Sequence, residues 1–280
     1  MLYLFVWRNY GEKFPLAANA NYVSLVVVTR GDTPRAAIKG VSMAYMIVLD
    51  TETAQIGGAS GRPRPQDSRV YDLGYTIVDT KTMDVVASRS FAIIDTFANV
   101  QLMRSAYYAN KLPQYFEGMR GKGRAWKPVT FLEAWAQVKQ DIKTYNVRKV
   151  GAYNCEFDRK ALNATLRAYS NGFAAYFMPY GVKWIDIWDY ASCITATPAY
   201  LDWCAAHQLF TPSGNPSTTA EAVYGFLTNS AEYVENHTAL EDAKIETAIY
   251  AAARKKHKKT RHTVGRGWQD AAALNKKRNK

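Results

Sequence analysis

Three short acidic motifs in this sequence carry residues that could bind divalent cations and move a proton. The first is Asp50-Thr51-Glu52, which ends the apolar run YMIVLD. In an extended chain, side chains two residues apart point to the same side, so the two carboxylates would lie together. Such like charges repel unless a cation lies between them, and hard carboxylate oxygens suit Mg²⁺ or Mn²⁺. D-x-E is a common pattern, and the pair alone is also typical of a solvated acidic turn.

The second motif is YNCEFDRKAL, in which Asp158 follows a predicted strand and lies in the first turn of a predicted helix. Asn154 fits the N-cap position of that helix. The helix dipole would stabilise the Asp158 carboxylate there. Ordinary capping electrostatics explains an acid at this place equally well, so the position gains meaning only together with the other motifs.

The third motif is ENHTALEDAKIETAIY, where Thr238 and Glu241 have capping-box spacing and predict a helix that begins at Thr238. Asp242 falls on the apolar face of this helix, where an unpaired carboxylate is very costly. His237 precedes the helix, and a loop histidine with a pKa near neutrality suits proton transfer. The alternative is a surface histidine, with Asp242 paired to a lysine or an arginine.

The order and placement of the three motifs resemble those of the DnaQ-like, RNase H-fold 3′→5′ exonucleases. In that family D-x-E lies on the first strand, N-x-x-F-D at a helix start and H-x-x-x-x-D on a later helix. His237 lies five residues before Asp242, as in the DEDDh branch. The DEDDy branch has a tyrosine four residues before the aspartate, where this chain has Thr238. The resemblance covers roughly residues 45–253.

The resemblance implies that Asp50, Glu52, Asp158 and Asp242 bind two Mg²⁺ or Mn²⁺ ions, with Asp50 bridging them. It also implies that His237 takes a proton from the attacking water and that a nucleoside 5′-monophosphate leaves. The residues themselves agree with metal-assisted hydrolysis, because no serine or cysteine is paired with a base as nucleophilic catalysis by the protein would require.

The implied substrate is the 3′ end of a nucleic acid, with DNA favoured over RNA. Nothing in the sequence separates the two sugars, since the distinguishing contact would be to a 2′-hydroxyl. A 3′→5′ exoribonuclease with the same mechanism and a non-catalytic nucleic-acid-binding module are therefore the alternatives. We expect any polymerase that works with this chain to act in trans.

The segment 104–127 interleaves aromatic and basic side chains, as expected where bases stack and phosphates pair. The alternative is a small helix whose aromatic residues pack on the core. An arginine-containing loop after the D-x-E motif is a second candidate surface. The predicted nucleic-acid contacts are Thr51, Arg62, Arg64, Tyr107, Tyr108, Lys111, Arg124, Trp126, Asn154 and Phe157.

Apolar periodicity predicts the elements that would position these residues. The predicted strands cover 45–50, 70–79, 85–94, 147–154 and 183–188, the last as a strand or a bend. The predicted helices cover 131–145, 156–170, 189–207, 219–228 and 238–254. This order predicts an α/β, RNase H-like fold: a mixed five-stranded sheet, with an antiparallel meander plus parallel strands, flanked by helices.

The net charge of +12 is concentrated at one end of the chain. Residues 254–280 carry eleven Lys/Arg and one acid, whereas residues 46–253 sum to −1. We therefore predict an exonuclease domain over 45–253 and a basic, flexible tail over 254–280 that binds polyanions in a salt-sensitive way. Residues 1–44 show no sustained periodicity and are predicted to be an N-terminal extension.

Cysteine content and hydropathy indicate the cellular compartment in which the protein works. The three cysteines are scattered and form no C-x-x-C pair, which argues against a disulfide framework and against a structural zinc site. No apolar run approaches the eighteen residues that a membrane helix needs. The sequence therefore predicts a cytoplasmic protein without a membrane segment.

Overall fold

The computed structural model describes residues 44–56, 64–106, 109–120, 125–234, 236–256 and 266–278. At its centre is a six-stranded mixed sheet in the order β4-β3-β2-β1-β5-β6. The strands are β1 Tyr45–Gln55, β2 Ser68–Asp79, β3 Val85–Ile93, β4 Lys127–Val129, β5 Lys149–Ala152 and β6 Lys183–Asp186.

Helices cover both faces of this sheet. The first five are α1 Ile94–Phe97, α2 Val100–Met103, α3 Leu112–Gly118, α4 Phe131–Thr144 and α5 Cys155–Tyr169. The next five are α6 Ile187–Thr195, α7 Pro198–Ala206, α8 Ala220–Thr228, α9 Ala239–Lys256 and α10 Gly267–Arg278. Within the described ranges, no helix combines the length and apolarity needed to cross a bilayer.

The predicted mixed sheet is confirmed, but it has six strands instead of five. Strands β1, β2 and β3 form the antiparallel meander, and β5 joins β1 in parallel, followed by β6. The extra strand, β4, pairs in parallel with the end of β3 at the sheet edge. It spans three residues and contains Pro128, so it leaves no alternating pattern that a sequence could reveal.

Two of the three hydrophobic clusters in the described residues lie on opposite faces of the sheet, and β1 contributes to both. Ile47 and Leu49 pack with α4 and α5 on one face, whereas Met46 and Val48 pack with α6 and α9 on the other. This alternation is the period of two that an extended strand imposes. The central strand is therefore buried on both sides.

The same alternation orients the D-x-E motif. Asp50 and Glu52 continue the side of β1 that faces α9, whereas Thr51 continues the side that faces α5. The sequence had suggested that the motif lies at the end of β1. The strand runs on to Gln55, so the motif lies within it. The register with β2 shifts directly after Glu52.

A glycine in β2 lets helix α9 approach the motif. Gly74 is the register partner of Asp50. A Cβ atom at Gly74 would lie 2.0 Å from the backbone nitrogen of Leu240 and 2.2 Å from the carbonyl carbon of Ala239. Real Cβ atoms do not come so close to backbone, so the contact requires glycine. The first turn of α9 is thereby held against the strand beside Asp50.

The basic C-terminal segment contains a packed helix. The sequence predicted a flexible tail over 254–280, but helix α10 lies within it. A Cβ atom at Gly267 would lie 2.3 Å from the carbonyl oxygen of Trp188, so α10 packs closely on α6. At the other end of α10, Arg278 forms an ion pair with Asp202 of α7.

Candidate active site

Three carboxylates meet where β1 faces α9. One oxygen from each of Asp50, Glu52 and Asp242 lies within 4.8 Å of the others. Burial, followed by repulsion from neighbouring carboxylates, raises the pKa of Asp50 and of Glu52 well above the usual range. A divalent cation would relieve that repulsion, and a set of hard oxygen donors suits Mg²⁺ or Mn²⁺. The residues therefore fit the metal that the sequence implies.

Asp158 reaches the same region from the first turn of α5. Its Oδ1 accepts a hydrogen bond of 2.7 Å from the Thr51 hydroxyl. Burial raises the pKa of Asp158 to about 7, although the Thr51 hydroxyl opposes the shift. Among the neighbouring acids, Asp158 raises the pKa of Asp50 the most. Asp158 lies outside the group of three, but its negative charge repels that of Asp50, which belongs to the group.

His237 lies in the segment that leads into α9. It has a positive φ of 47° and is partly buried. The Lys111 ammonium donates a 2.7 Å hydrogen bond to the carbonyl oxygen of Asn236, the preceding residue. Burial, then the charge of Lys111, lowers the pKa of His237 below its ordinary value. The imidazole is therefore neutral near pH 7, which is the form that accepts a proton.

Comparison with known proteins identifies the fold. No protein-family model and no curated protein sequence matches the chain. The nuclease domain of 3′hExo, a DEDDh family member bound to rAMP, matches with a TM-score of 0.51 and 12% identity. That match covers 78% of this chain and 96% of the nuclease domain. The chain has the fold of the DnaQ-like DEDDh exonucleases.

Two exonuclease I structures share this DEDDh fold. The zinc-bound complex of E. coli exonuclease I with single-stranded DNA has a TM-score of 0.51 and 16% identity, and exonuclease I from Methylocaldum szegediense has 0.52 and 18%. Each match covers 77% of this chain and 41% of the other chain. The chain thus spans less than half the length of these exonuclease I proteins.

A further acid, Asp72, organises one side of the site. It lies in β2 opposite Glu52 and is fully buried. Its Oδ2 accepts hydrogen bonds from the Tyr115 hydroxyl at 2.7 Å, the Trp126 indole at 3.1 Å and the Ala239 backbone at 3.0 Å. We call Asp72, Tyr115, Trp126 and Ala239 the Asp72 cluster. The cluster ties the start of α9 to the strand beside the D-x-E motif.

Sequence analysis did not single out Asp72. The signal was present in VYDLGYTIVD, where Asp72 interrupts an apolar strand, and a buried acid there needs hydrogen-bond donors. Burial raises the pKa of Asp72 to about 6, and the charge of Asp72 in turn raises the pKa of Glu52.

Glu246 is another acid that the motifs do not include. It lies one helical turn after Asp242 in α9 and is 3% exposed. It is among the carboxylates that raise the pKa of Asp50. Its spacing of four residues from Asp242 on the predicted helix 238–254 was the available signal. The DEDDh fold here therefore surrounds Asp50 with more negative charge than the motif residues alone supply.

The predicted nucleic-acid contacts differ in their exposure. Trp126 is buried and donates its N–H to Asp72, so the alternative of a packing residue suits it better. The hydroxyl of Thr51 is bound to Asp158, and Phe157 is half-buried. Their roles in substrate binding stay predictions.

The remaining predicted contacts lie nearer the surface. Lys111 stands beside His237, and Asn154 lies at the start of α5. Arg64 is exposed and forms an ion pair with Asp67. The other four lie outside the described residues: Arg62, Tyr107, Tyr108 and Arg124.

Proposed function

We propose that this chain is a metal-dependent 3′→5′ exonuclease of the DEDDh type that hydrolyses terminal phosphodiester bonds. The observation that carries the proposal is the meeting of Asp50, Glu52 and Asp242 within 4.8 Å. His237 supports it, since it lies in the segment that leads into the helix of Asp242. The shared fold supports it too, because a full-length 3′-exonuclease also matches, with a TM-score of 0.51.

Asp50, Glu52, Asp158 and Asp242 would hold two Mg²⁺ or Mn²⁺ ions. Bound there, the cations would supply a Lewis acid for the phosphodiester and positive charge against the transition state. The carboxylates must be ionised to act as ligands, and their raised pKa values mean that protons compete for them. Cation affinity is therefore expected to fall as the pH falls.

His237 would accept the proton of the attacking water. Its lowered pKa keeps the imidazole neutral near pH 7. The hydrogen bond from Lys111 to Asn236 fixes the backbone just before it. A general base of this kind contributes about 10²–10⁴-fold to the rate. The product of each cycle would be a nucleoside 5′-monophosphate.

DNA with a single-stranded or frayed 3′ end is the proposed substrate, and RNA is the alternative. The structures that share the fold include one with single-stranded DNA and one with rAMP, so the fold itself accommodates either sugar. A non-catalytic binding module is the third candidate. It is disfavoured because all five catalytic positions hold the residues that the chemistry needs.

The test is digestion of 5′-labelled single-stranded DNA and RNA of one sequence with Mg²⁺. We expect stepwise shortening from the 3′ end and release of 5′-monophosphates. Asp50→Ala should abolish cleavage at every Mg²⁺ concentration. His237→Ala should retain cation binding and lose about 10²–10⁴-fold in rate. Glu241→Gln, which changes an acid paired with Lys244, is the matched control and should leave the rate unchanged.

Two results would overturn the proposal. Full activity of His237→Ala near neutral pH would contradict the assignment of His237 as the general base. Binding of both oligonucleotides without cleavage, over a range of Mg²⁺ and Mn²⁺ concentrations, would instead support the binding module. The ratio of kcat/KM for DNA and RNA decides between the two substrates.

A further inference from the structure

A cleft of about 580 Å³ opens beyond the carboxyl ends of β5 and β6. Since β1 runs parallel to β5, the C-terminal half of β1, which contains the D-x-E motif, lies toward this same edge of the sheet. Ligands of α/β sheets are usually bound at that edge. The lining combines aromatic and polar side chains, among them Tyr153, Asn154, Trp188, Asn215, Ser217 and Trp268. We call it the aromatic cleft.

Two of the rings form a fixed wall. The Tyr153 hydroxyl donates a 2.6 Å hydrogen bond to the carbonyl oxygen of Thr218, and the Trp188 indole N–H donates to the Thr218 hydroxyl at 3.1 Å. The ring centroids lie 6.2 Å apart with the planes inclined by 30°. Because their polar atoms are bound to Thr218, these side chains line the cleft with apolar ring surface.

A buried carboxylate joins this wall to the candidate active site. Oδ1 of Asp186 accepts hydrogen bonds from the backbone N–H of Asn154 at 3.0 Å and of Trp188 at 3.1 Å. Asn154 is the residue that precedes α5, and Asp158 lies in the first turn of the same helix. The cleft and the carboxylates therefore share one structural support.

Helix α10 contributes the third ring. Trp268 is 43% exposed and follows Gly267, whose contact with the Trp188 carbonyl fixes the start of the helix. Arg266, just before it, is exposed. The surrounding segment 254–280 carries eleven Lys/Arg and one acid, a charge complementary to a polyanion.

We propose that the aromatic cleft binds an unpaired base of the substrate strand. This inference rests on the proposed exonuclease function and extends it. A base offers a flat apolar face for the rings of Trp188 and Trp268 and hydrogen-bonding edges for Asn154 and Asn215. The cleft is within the size range of small-molecule pockets. The exposed Arg266, two residues before Trp268 in a segment with a net charge of +10, favours a strand with phosphates over an apolar peptide.

Trp268→Ala tests the cleft directly. Stacking of a base on an aromatic ring is worth about 1–3 kcal/mol, so we expect KM to rise about 5- to 150-fold. The value of kcat should change little, because Trp268 is not part of the carboxylate group of Asp50, Glu52 and Asp242. Trp268→Phe should restore most of the affinity. Phe173→Ala and Tyr180→Ala are controls, since these exposed aromatics precede β6 at the opposite edge of the sheet.

Oligonucleotides with one abasic site, moved stepwise from the 3′ end, locate the base. Wild-type protein should lose affinity when one particular position is abasic, and Trp268→Ala should be insensitive at that position. Unchanged KM and an unchanged abasic profile in Trp268→Ala would overturn the cleft assignment while the nuclease stands. Fluorescence anisotropy of labelled strands measures the affinity of both proteins for the intact and the abasic strands without any cleavage. The cleft is therefore tested even if the wild-type protein cuts nothing and the proposed function fails.

Discussion

The two aromatic regions on either side of β1 differ in what their polar atoms bind. In the Asp72 cluster, Tyr115 and Trp126 donate hydrogen bonds to one buried carboxylate. The centroids of their rings lie 4.4 Å apart in a buried hydrophobic cluster. In the aromatic cleft, Tyr153 and Trp188 bind Thr218 and leave ring surface on an open cavity.

The difference separates two tasks. The Asp72 cluster is closed, and because it includes the first residue of α9 it fixes the helix that carries Asp242. The aromatic cleft is open, and Asn154 at the start of α5 lines it, so a ligand in the cleft would lie beside the start of that helix. Substitutions in the closed region should therefore reduce stability and activity together. Substitutions in the open region should reduce substrate affinity alone.

The largest effect is expected for Gly74→Ala. A methyl group there would meet the backbone of Leu240 at 2.0 Å, so α9 must move away from β2 and from Asp50 beside it. We expect a loss of at least about 1–3 kcal/mol in the free energy of unfolding, with a large loss of rate. Urea unfolding measures the first and strand digestion the second. Gly151→Ala is the control, because its methyl would meet flexible ends of Ile187 and Met46.

Asp72→Ala should come next. It leaves the buried donors of Tyr115, Trp126 and Ala239 without their acceptor, and each such loss costs about 1–3 kcal/mol, not additively. Asp72→Asn keeps an oxygen for the same donors and should lose much less. Thermal unfolding and kcat measured on both variants test this. If Asp72→Ala kept full stability and activity, the closed region would have no positioning role.

Asp50→Asn should stabilise the cation-free protein while abolishing cleavage. The raised pKa of Asp50 means that the folded protein binds more protons than the unfolded chain between the ordinary and the raised pKa. The stability of the cation-free protein therefore falls as the pH rises through that window. We expect the variant to be more stable than the wild type at pH 8 and to differ little from it at pH 4. Thermal unfolding in EDTA at both pH values is the measurement; equal stability of the two proteins at pH 8 would contradict it.

The smallest effect is expected for Lys111→Met, which lies at the margin of the closed region. The charge of Lys111 lowers the pKa of His237 and of Glu52. In the proposed mechanism both groups act in their deprotonated forms, so removing the charge should move the acidic limb of the rate profile to higher pH. Lys111→Arg should leave the limb in place. The profile of kcat/KM between pH 5 and 8 distinguishes the two variants.

Local patterns were sufficient to predict most elements and the motif residues. The D-x-E pair, Asp158 in the first turn of α5 and His237 before α9 all depend on spacing within a few residues. The structure places them as expected, except that β1 continues past Glu52. Their catalytic roles stay predictions that the experiments above address.

Contacts between distant residues could not be predicted in this way. Trp126 is buried because it meets Asp72, which is 54 residues away. Trp268 is 43% exposed and lies at the start of α10, where Gly267 packs on Trp188. The sequence pattern predicted a nucleic-acid contact at Trp126 and did not single out Trp268, and only the long-range contacts distinguish the two tryptophans.

The close approach at Gly74 also has a consequence for protein synthesis. The partner of Gly74 is the backbone of Ala239 and Leu240, more than 160 residues later in the chain. Contacts of such high sequence separation form late in folding. While the ribosome is still translating, Asp50, Glu52 and Asp158 can emerge, but His237 and Asp242 cannot yet join them. Under the proposed function, a nascent chain would therefore be unable to degrade nucleic acid at its own site of translation.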